Sequence, residues 1–212
     1  MSTNAITVVL FDVGGVIIRA AHRITEVILE DLGITPEGAR RFFANEHYAA
    51  FSRGEISVMQ FHENIVKFHI TPADYDTLPR LDYQTVRQAH DAHLYGINEA
   101  ILSRMEALTA ANISVHAITD TNPWQTRREC ALIDLQRHVG LVFRSHELHG
   151  LKRERGMLEH VLEQLGEDPA RVLLVDADLV NIARADRLGM QIHHYTNVRT
   201  LDRALATYVL LR

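Results

Sequence analysis

The chain has little of several things, and each shortage removes a class of function. Among 212 residues Cys130 is the only cysteine, so no intrachain disulfide can form and a reducing compartment, the cytoplasm, is expected. No run approaches the ~20 apolar residues that span a bilayer. Met1-Ser2-Thr3-Asn4 leads straight into a short apolar stretch, so neither a signal peptide nor a membrane anchor is expected. Positive charge is also short: the formal net charge is -5, with acidic and basic residues mixed along the chain. Without a basic stripe to neutralise a phosphate backbone, nucleic acid is a poor partner. Lysine is scarcest among the cations, Lys67 and Lys152 being the only two. The histidine pairs His90/His93 and His146/His149 have the loose spacing that chance produces among 13 histidines, and no His/Cys cluster points to zinc.

What is present suits a sizeable core, with 47% hydrophobic residues. Ile6 to Phe11 is nearly continuous, apolar and β-branched, the pattern of a strand buried on both faces of a parallel sheet, and it halts at Asp12-Val13-Gly14-Gly15. Similar runs recur at Ile113 to Thr119, Leu141 to Phe143, Val172 to Val175 and Met190 to Tyr195. Helices separate them: Leu158, Val161, Leu162 and Leu165 follow helical spacing up to Gly166, and Asp178 to Leu188 is helical in length and closes at Gly189. This alternation predicts an α/β fold with a doubly wound parallel sheet.

From Ala21 to about Tyr95 the periodicity is helical and no strand is evident, which predicts an inserted helical module. Ile24, Val27, Ile28 and Leu32 form one apolar stripe; Val58, Phe61, Ile65 and Phe68 form another, opened by a Ser57/Gln60 capping box. Thr71 to Asp82, with Pro72 and Pro79, reads as a loop, and Gly96 marks the return to the core. The expected division is 1–17 with 96–212 as core and 18–95 as inserted domain. Leu201, Leu205, Tyr208 and Val209 form an amphipathic face that more often covers its own sheet than a partner's, leaving monomer and homodimer both open.

Ligands of open parallel sheets sit beyond the carboxyl ends of the strands. Three expected strands end in polar groups there: Asp12, Thr119-Asp120 and Asp176-Ala177-Asp178. Each alone suits an ordinary strand end or helix cap. Together they would converge, and two carboxylates ~4 Å apart repel by about 4 kcal/mol at an effective dielectric near 20, which a hard divalent cation relieves. Oxygen donors favour Mg²⁺. Asn122 can cap a helix with Pro123 in its first turn, so Thr119 would face a helix N-terminus able to receive an anion. Trp124 reads as packing.

The order of these residues resembles the haloacid dehalogenase superfamily over nearly the whole chain. Phe11-Asp12-Val13-Gly14-Gly15-Val16 is similar to its first motif, Thr119 to its second, Lys152 in Gly150-Leu151-Lys152-Arg153 to its third, and Val175-Asp176-Ala177-Asp178 to its acidic fourth. The resemblance implies a Rossmann-like core, a helical cap inserted after the first motif, and phosphate ester or anhydride hydrolysis. Asp12 would be the nucleophile, with Thr119 and Lys152 holding the phosphoryl oxygens. Mg²⁺ would be held by Asp12, the Gly14 carbonyl and Asp176, and the partner would be a small phosphorylated metabolite. Gly14, Gly15, Asp120 and, from the cap, Arg53 join Thr119 and Lys152 as candidate substrate contacts. The Phe51-to-Ser57 segment and Asp-x-Gly-Gly are similar to a subgroup with members acting on sugar 1-phosphates.

Four departures accompany the resemblance. Gly14 stands where most phosphatases of the superfamily carry a second aspartate that protonates the leaving group, and losing general acid/base help typically costs ~10²–10⁴ in rate, least for good leaving groups. Ala177 replaces an acid, Arg153 a proline and Asp120 an asparagine; Asp178 stands ready either to supply the lost acid or to cap its helix. Two alternatives stay open: carbon–halogen cleavage, whose halide departs without a proton, and a binding or regulatory protein that keeps the fold without the reaction.

Overall fold

The computed structural model describes residues 5–69 and 81–209. The chain opens with β1 (Val8–Asp12) and β2 (Ile18–Ala20). Next come α1 (His22–Asp31), α2 (Pro36–Arg41), α3 (Glu46–Ser52), α4 (Val58–Asn64), which runs on as a π-helical turn over Ile65–His69, and α5 (Tyr83–Asp91). Then follow β3 (Leu94–Ile97), α6 (Glu99–Ala110), β4 (Ser114–Thr119), α7 (Pro123–Leu132), β5 (Val142–Arg144), α8 (Ser145–Leu148), α9 (Met157–Leu165), β6 (Val172–Asp176), α10 (Leu179–Arg187), β7 (Gln191–His194) and α11 (Val198–Val209).

Five strands form one parallel sheet in the order β5-β4-β1-β6-β7. Strand order reverses about β1, the switch point at which open α/β sheets take ligands. Every residue of β1 and β6 is buried, which is why these strands read as unbroken apolar runs rather than alternating ones. One face packs Val9, Phe11, Ala117 and Val175 with residues of α6 and Leu201 of α11; the other packs Leu10, Ile118 and Leu174 with residues of α9 and α10. Leu205 and Tyr208 join Leu201, so α11 covers its own sheet. Among the described residues no helix is long and apolar enough to cross a membrane.

The helices between β2 and β3 have a core of their own, built from Leu29, Phe42, Phe51, Phe61, Ile65 and Val86. The Ser57/Gln60 capping box opens α4 as expected. In α1 the buried residues are Thr25 and Leu29, while Val27, expected on the apolar stripe, is 41% exposed. This core is completed from outside: Trp124 of α7 lies edge-on to Phe51, Phe61 and Tyr83 and donates from Nε1 to the Tyr83 hydroxyl at 2.9 Å. A second seam lies at the end of α3, where the Ser145 hydroxyl donates to the Ser52 carbonyl at 2.7 Å. Gly54, at φ +69, approaches so closely that a Cβ there would lie 2.3 Å from the His146 carbonyl oxygen.

One expectation is corrected. The stretch taken as free of strands ends in β3, which pairs antiparallel with β2 (Ile18 with Ile97, Arg19 with Gly96, Ala20 with Leu94). The helical segment is therefore tied to the sheet by a two-stranded ribbon, and pairing starts at Leu94, before Gly96. Residues 71–80 of the expected Thr71–Asp82 loop, including Pro72 and Pro79, and the side chains of Phe68 and Val209 lie outside the described residues; Asp82 caps α5.

Candidate active site

The site is assembled by register. Phe11 pairs with Val175, which sets Asp12 beside Asp176 at the carboxyl edge with both side chains on one face of the sheet. Lys152 joins them from the loop between α8 and α9: its Nζ donates to Asp12 Oδ1 at 2.6 Å and to Asp176 Oδ2 at 2.7 Å. The loop is pinned by Asp120, whose Oδ1 accepts the Lys152 N–H at 2.9 Å. Asp176 also accepts from the Asp178 N–H and from Asn181 Nδ2. Lys152 is 1% exposed and Asp176 0%, whereas Asp12 is 8% exposed, so Asp12 is the member of this triad that opens to the outside. Its Oδ1 takes both the Lys152 ammonium and the Val13 N–H, leaving Oδ2 without a hydrogen-bond partner among the described residues.

Charge is unbalanced here, because three buried or half-buried carboxylates, Asp12, Asp120 and Asp176, face one ammonium. Burial raises the Asp12 carboxyl well above the usual range and the Asp176 charge adds to it, while Lys152 opposes both. Asp120 is raised by burial, with Lys152 again opposing. Burial by itself would lower the Lys152 ammonium, but the attraction of Asp12, Asp176 and Asp120 outweighs it and holds Lys152 protonated far above its ordinary value.

A cavity of about 930 Å³ lies over Asp12, with Gly14, Asp120 and Lys152 in its floor and His22, Phe43 and Tyr48 of the helical segment in its wall. Not all expected residues reach it. Thr119 lies one residue beyond Ile118, the partner of Asp12, so it faces the other side of the sheet; it is 1% exposed and its hydroxyl donates to Glu129 Oε1 at 3.4 Å. Arg53 turns away into ion pairs with Glu55 at 2.7 Å and Glu154 at 3.0 Å. The Gly15 N–H closes the turn onto the Ile18 carbonyl at 2.7 Å. Thr119, Gly15 and Arg53 are therefore outside the cavity lining. Asp178 lines the mouth and caps α10, its Oδ1 accepting the Val180 N–H at 2.8 Å.

The sequence reading missed Gln125, which lines the cavity, and Glu129 behind it, 1% exposed and raised by burial. Their only signal is the i, i+4 spacing of two polar residues on α7. Among the described residues no three His, Cys, Asp or Glu side chains converge as a metal cage.

The comparisons agree with this architecture. A family model described as haloacid dehalogenase-like hydrolase matches residues 6–189. No curated protein matches the sequence. Among solved structures, the HAD family enzyme BT-2542 of Bacteroides thetaiotaomicron, in complex with magnesium and inorganic phosphate, superposes with a TM-score of 0.76 at 18% identity, covering 90% of this chain and 94% of that one. A predicted HAD-like family hydrolase of Porphyromonas gingivalis gives a TM-score of 0.77 at 18% identity over 95% and 98% of the two chains. A dehalogenase gives 0.63 at 14% identity over 89% and 84%. With the model spanning most of its length and the five-stranded sheet in place, the chain belongs to the haloacid dehalogenase-like hydrolases.

Proposed function

We propose that this hydrolase is a Mg²⁺-dependent phosphatase of a small phosphorylated metabolite, acting through an aspartyl phosphate on Asp12. In this reading residues 18–95 form a cap domain over a core of 1–17 and 96–212. The observation that carries it is the Asp12–Lys152–Asp176 triad, buried except where Asp12 opens to the cavity. BT-2542, solved with magnesium and phosphate, supports the same chemistry at the level of the fold. Exposed, unpaired Cys130 suits a cytoplasmic setting.

The donor set fits a hard divalent ion. Carboxylates outnumber the ammonium, every candidate ligand is oxygen, and burial already drives Asp12 toward its neutral form unless more positive charge arrives. Asp12, the Gly14 carbonyl and Asp176 would hold Mg²⁺, which when bound supplies charge stabilisation to the phosphoryl oxygens.

This chain's own groups then divide the work. Lys152, fixed on Asp12 Oδ1, opposes the neutralising effect of burial and orients that carboxylate, and the unpaired Oδ2 attacks phosphorus. The bond to the leaving oxygen breaks with its electron pair, and that oxygen takes a proton from water. A second water attacks the aspartyl phosphate, releasing inorganic phosphate and regenerating the Asp12 carboxylate. Gly14 brings no proton to the first step, so acyl and anomeric phosphates should turn over faster than simple alkyl esters. The test is a panel of phosphorylated compounds with Mg²⁺, comparing the native protein with Asp12→Asn. Mg²⁺-dependent phosphate release that vanishes in the variant supports the reading; no release by the native protein, or undiminished release by Asp12→Asn, contradicts it.

A further inference from the structure

Beside the open space at Gly14 stands a side chain that nothing in the motif pattern indicates. A Cβ built on Gly14 would have Gln125 Nε2 as its nearest neighbour, at 3.8 Å, so the carboxamide borders the volume that a longer residue 14 would fill. Both groups line the cavity above Asp12. The amide is clamped: Nε2 donates to Glu129 Oε1 at 3.1 Å and to the Asp120 carbonyl at 3.4 Å, and Oε1 accepts from the Tyr48 hydroxyl at 3.4 Å. Nε2 therefore faces two acceptors and Oε1 a donor, which fixes the orientation of the amide.

Resting on the phosphatase reading, we propose that Gln125 is a substrate-contacting residue whose Nε2–H hydrogen-bonds the leaving oxygen beside Gly14, with Glu129 and Tyr48 as its positioning residues. In the first step Asp12 Oδ2 bonds to phosphorus while the bond from phosphorus to the leaving oxygen breaks. The electron pair stays on that oxygen, and Gln125 stabilises it without giving up a proton, which comes from water. A neutral amide is well matched to this place, since a carboxylate added among Asp12, Asp120 and Asp176 would deepen the charge imbalance. The weaker of its two N–H bonds, to the Asp120 carbonyl, is the one free to exchange for substrate. Glu129, buried with Oε2 unpartnered and raised by burial, holds the other.

The experiment compares native protein, Gln125→Leu and Gln125→Asn on phosphate esters and anhydrides of graded leaving-group basicity with Mg²⁺. Inorganic phosphate inhibition and fluorescence of Trp124, the sole tryptophan, are read alongside. Expected for Gln125→Leu is a kcat loss that grows with leaving-group basicity, less than about tenfold for an acyl phosphate and on the order of 10² for an alkyl ester. Trp124 emission should not change. Gln125→Asn keeps an amide on a shorter arm and shows the same bias in weaker form; it carries the test alone if Gln125→Leu fails to fold. A loss equal across all leaving groups, or none, overturns the proposal while leaving the phosphatase reading intact. If the native protein neither releases phosphate nor is bound by it, the phosphatase reading falls and this proposal falls with it.

Discussion

Two buried carboxyl stations lie toward opposite faces of the same sheet, Asp12 with Asp176 at the ends of β1 and β6 and Glu129 on α7, and they are solved in different ways. On one face Asp12 and Asp176 share the Lys152 ammonium at 2.6 and 2.7 Å. On the other, Glu129 Oε1 accepts from the Gln125 amide and the Thr119 hydroxyl, while Oε2 has no hydrogen-bond partner among the described residues. Burial raises the carboxyls of both Asp12 and Glu129; at Asp12 the direct ion pair with Lys152 opposes the rise, whereas at Glu129 the opposing groups are the Gln125 amide, the more distant charge of Arg144 and hydroxyls. The difference is between a station with a direct ion pair that opens to the cavity and one held by neutral hydrogen bonds that fixes its neighbours.

The largest expected effect breaks the charged station. Asp12→Asn removes the nucleophile and should lower hydrolysis by at least about 10³-fold, measured as phosphate release with Mg²⁺. Lys152→Met leaves three carboxylates without their ammonium and should destabilise by about 3–5 kcal/mol in urea unfolding, because an unpaired buried charge remains. Adding Asp176→Asn to Lys152→Met should recover part of that stability while activity stays absent. Recovered activity would show that the ion pair is structural only.

Smaller effects sharpen the neutral station. Trp124→Ala, on the same helix as Glu129, should cost about 3–5 kcal/mol, since it empties the aromatic cluster that docks the helical segment. Glu129→Gln tests protonation. A carboxyl whose folded value is raised contributes stability that is fully present below the ordinary glutamate value of 4.5 and is lost as pH rises through the raised one. The variant cannot ionise, so its melting temperature relative to native should be least favourable below pH 4.5 and improve as pH rises. A difference independent of pH would mean that Glu129 is not raised. A Cβ on Gly14 meets Gln125 Nε2 at an ordinary 3.8 Å, and Gly14→Asp, whose added carboxyl the neighbouring carboxylates favour in its protonated form, should speed alkyl esters relative to acyl phosphates by about tenfold, read as the ratio of kcat on the two substrates.

The charged station was legible in the sequence because its parts interrupt strong patterns: Asp12 and Asp176 end unbroken apolar runs, and Lys152 is one of two lysines. The parallel sheet was legible for the same reason. Four things were not. Strand β3, Leu94-Tyr95-Gly96-Ile97, is four residues long with a glycine inside, and its pairing with β2 depends on chain brought back by the helical segment between them. Thr119 has the residue type of a phosphate contact, yet the two-residue period of the strand turns it to the Glu129 face, a consequence of register rather than composition. Gln125 and Glu129 look like surface residues in sequence, because the buried side of α7 is largely polar and finds its partners in residues distant in sequence, Tyr48 of the helical segment among them, and at the end of β4. Arg53, which the resemblance suggests as a substrate contact, is instead held by two nearby glutamates that its sequence context does not distinguish.

The most direct measurement is rapid acid quench of the native protein during turnover of an acyl phosphate with Mg²⁺, followed by mass mapping of the peptide that contains Asp12. The account predicts a labile phosphoryl group on Asp12, absent from Asp12→Asn. Turnover that proceeds at full rate with no phosphoryl group on that peptide, or with one on a different residue, would contradict it.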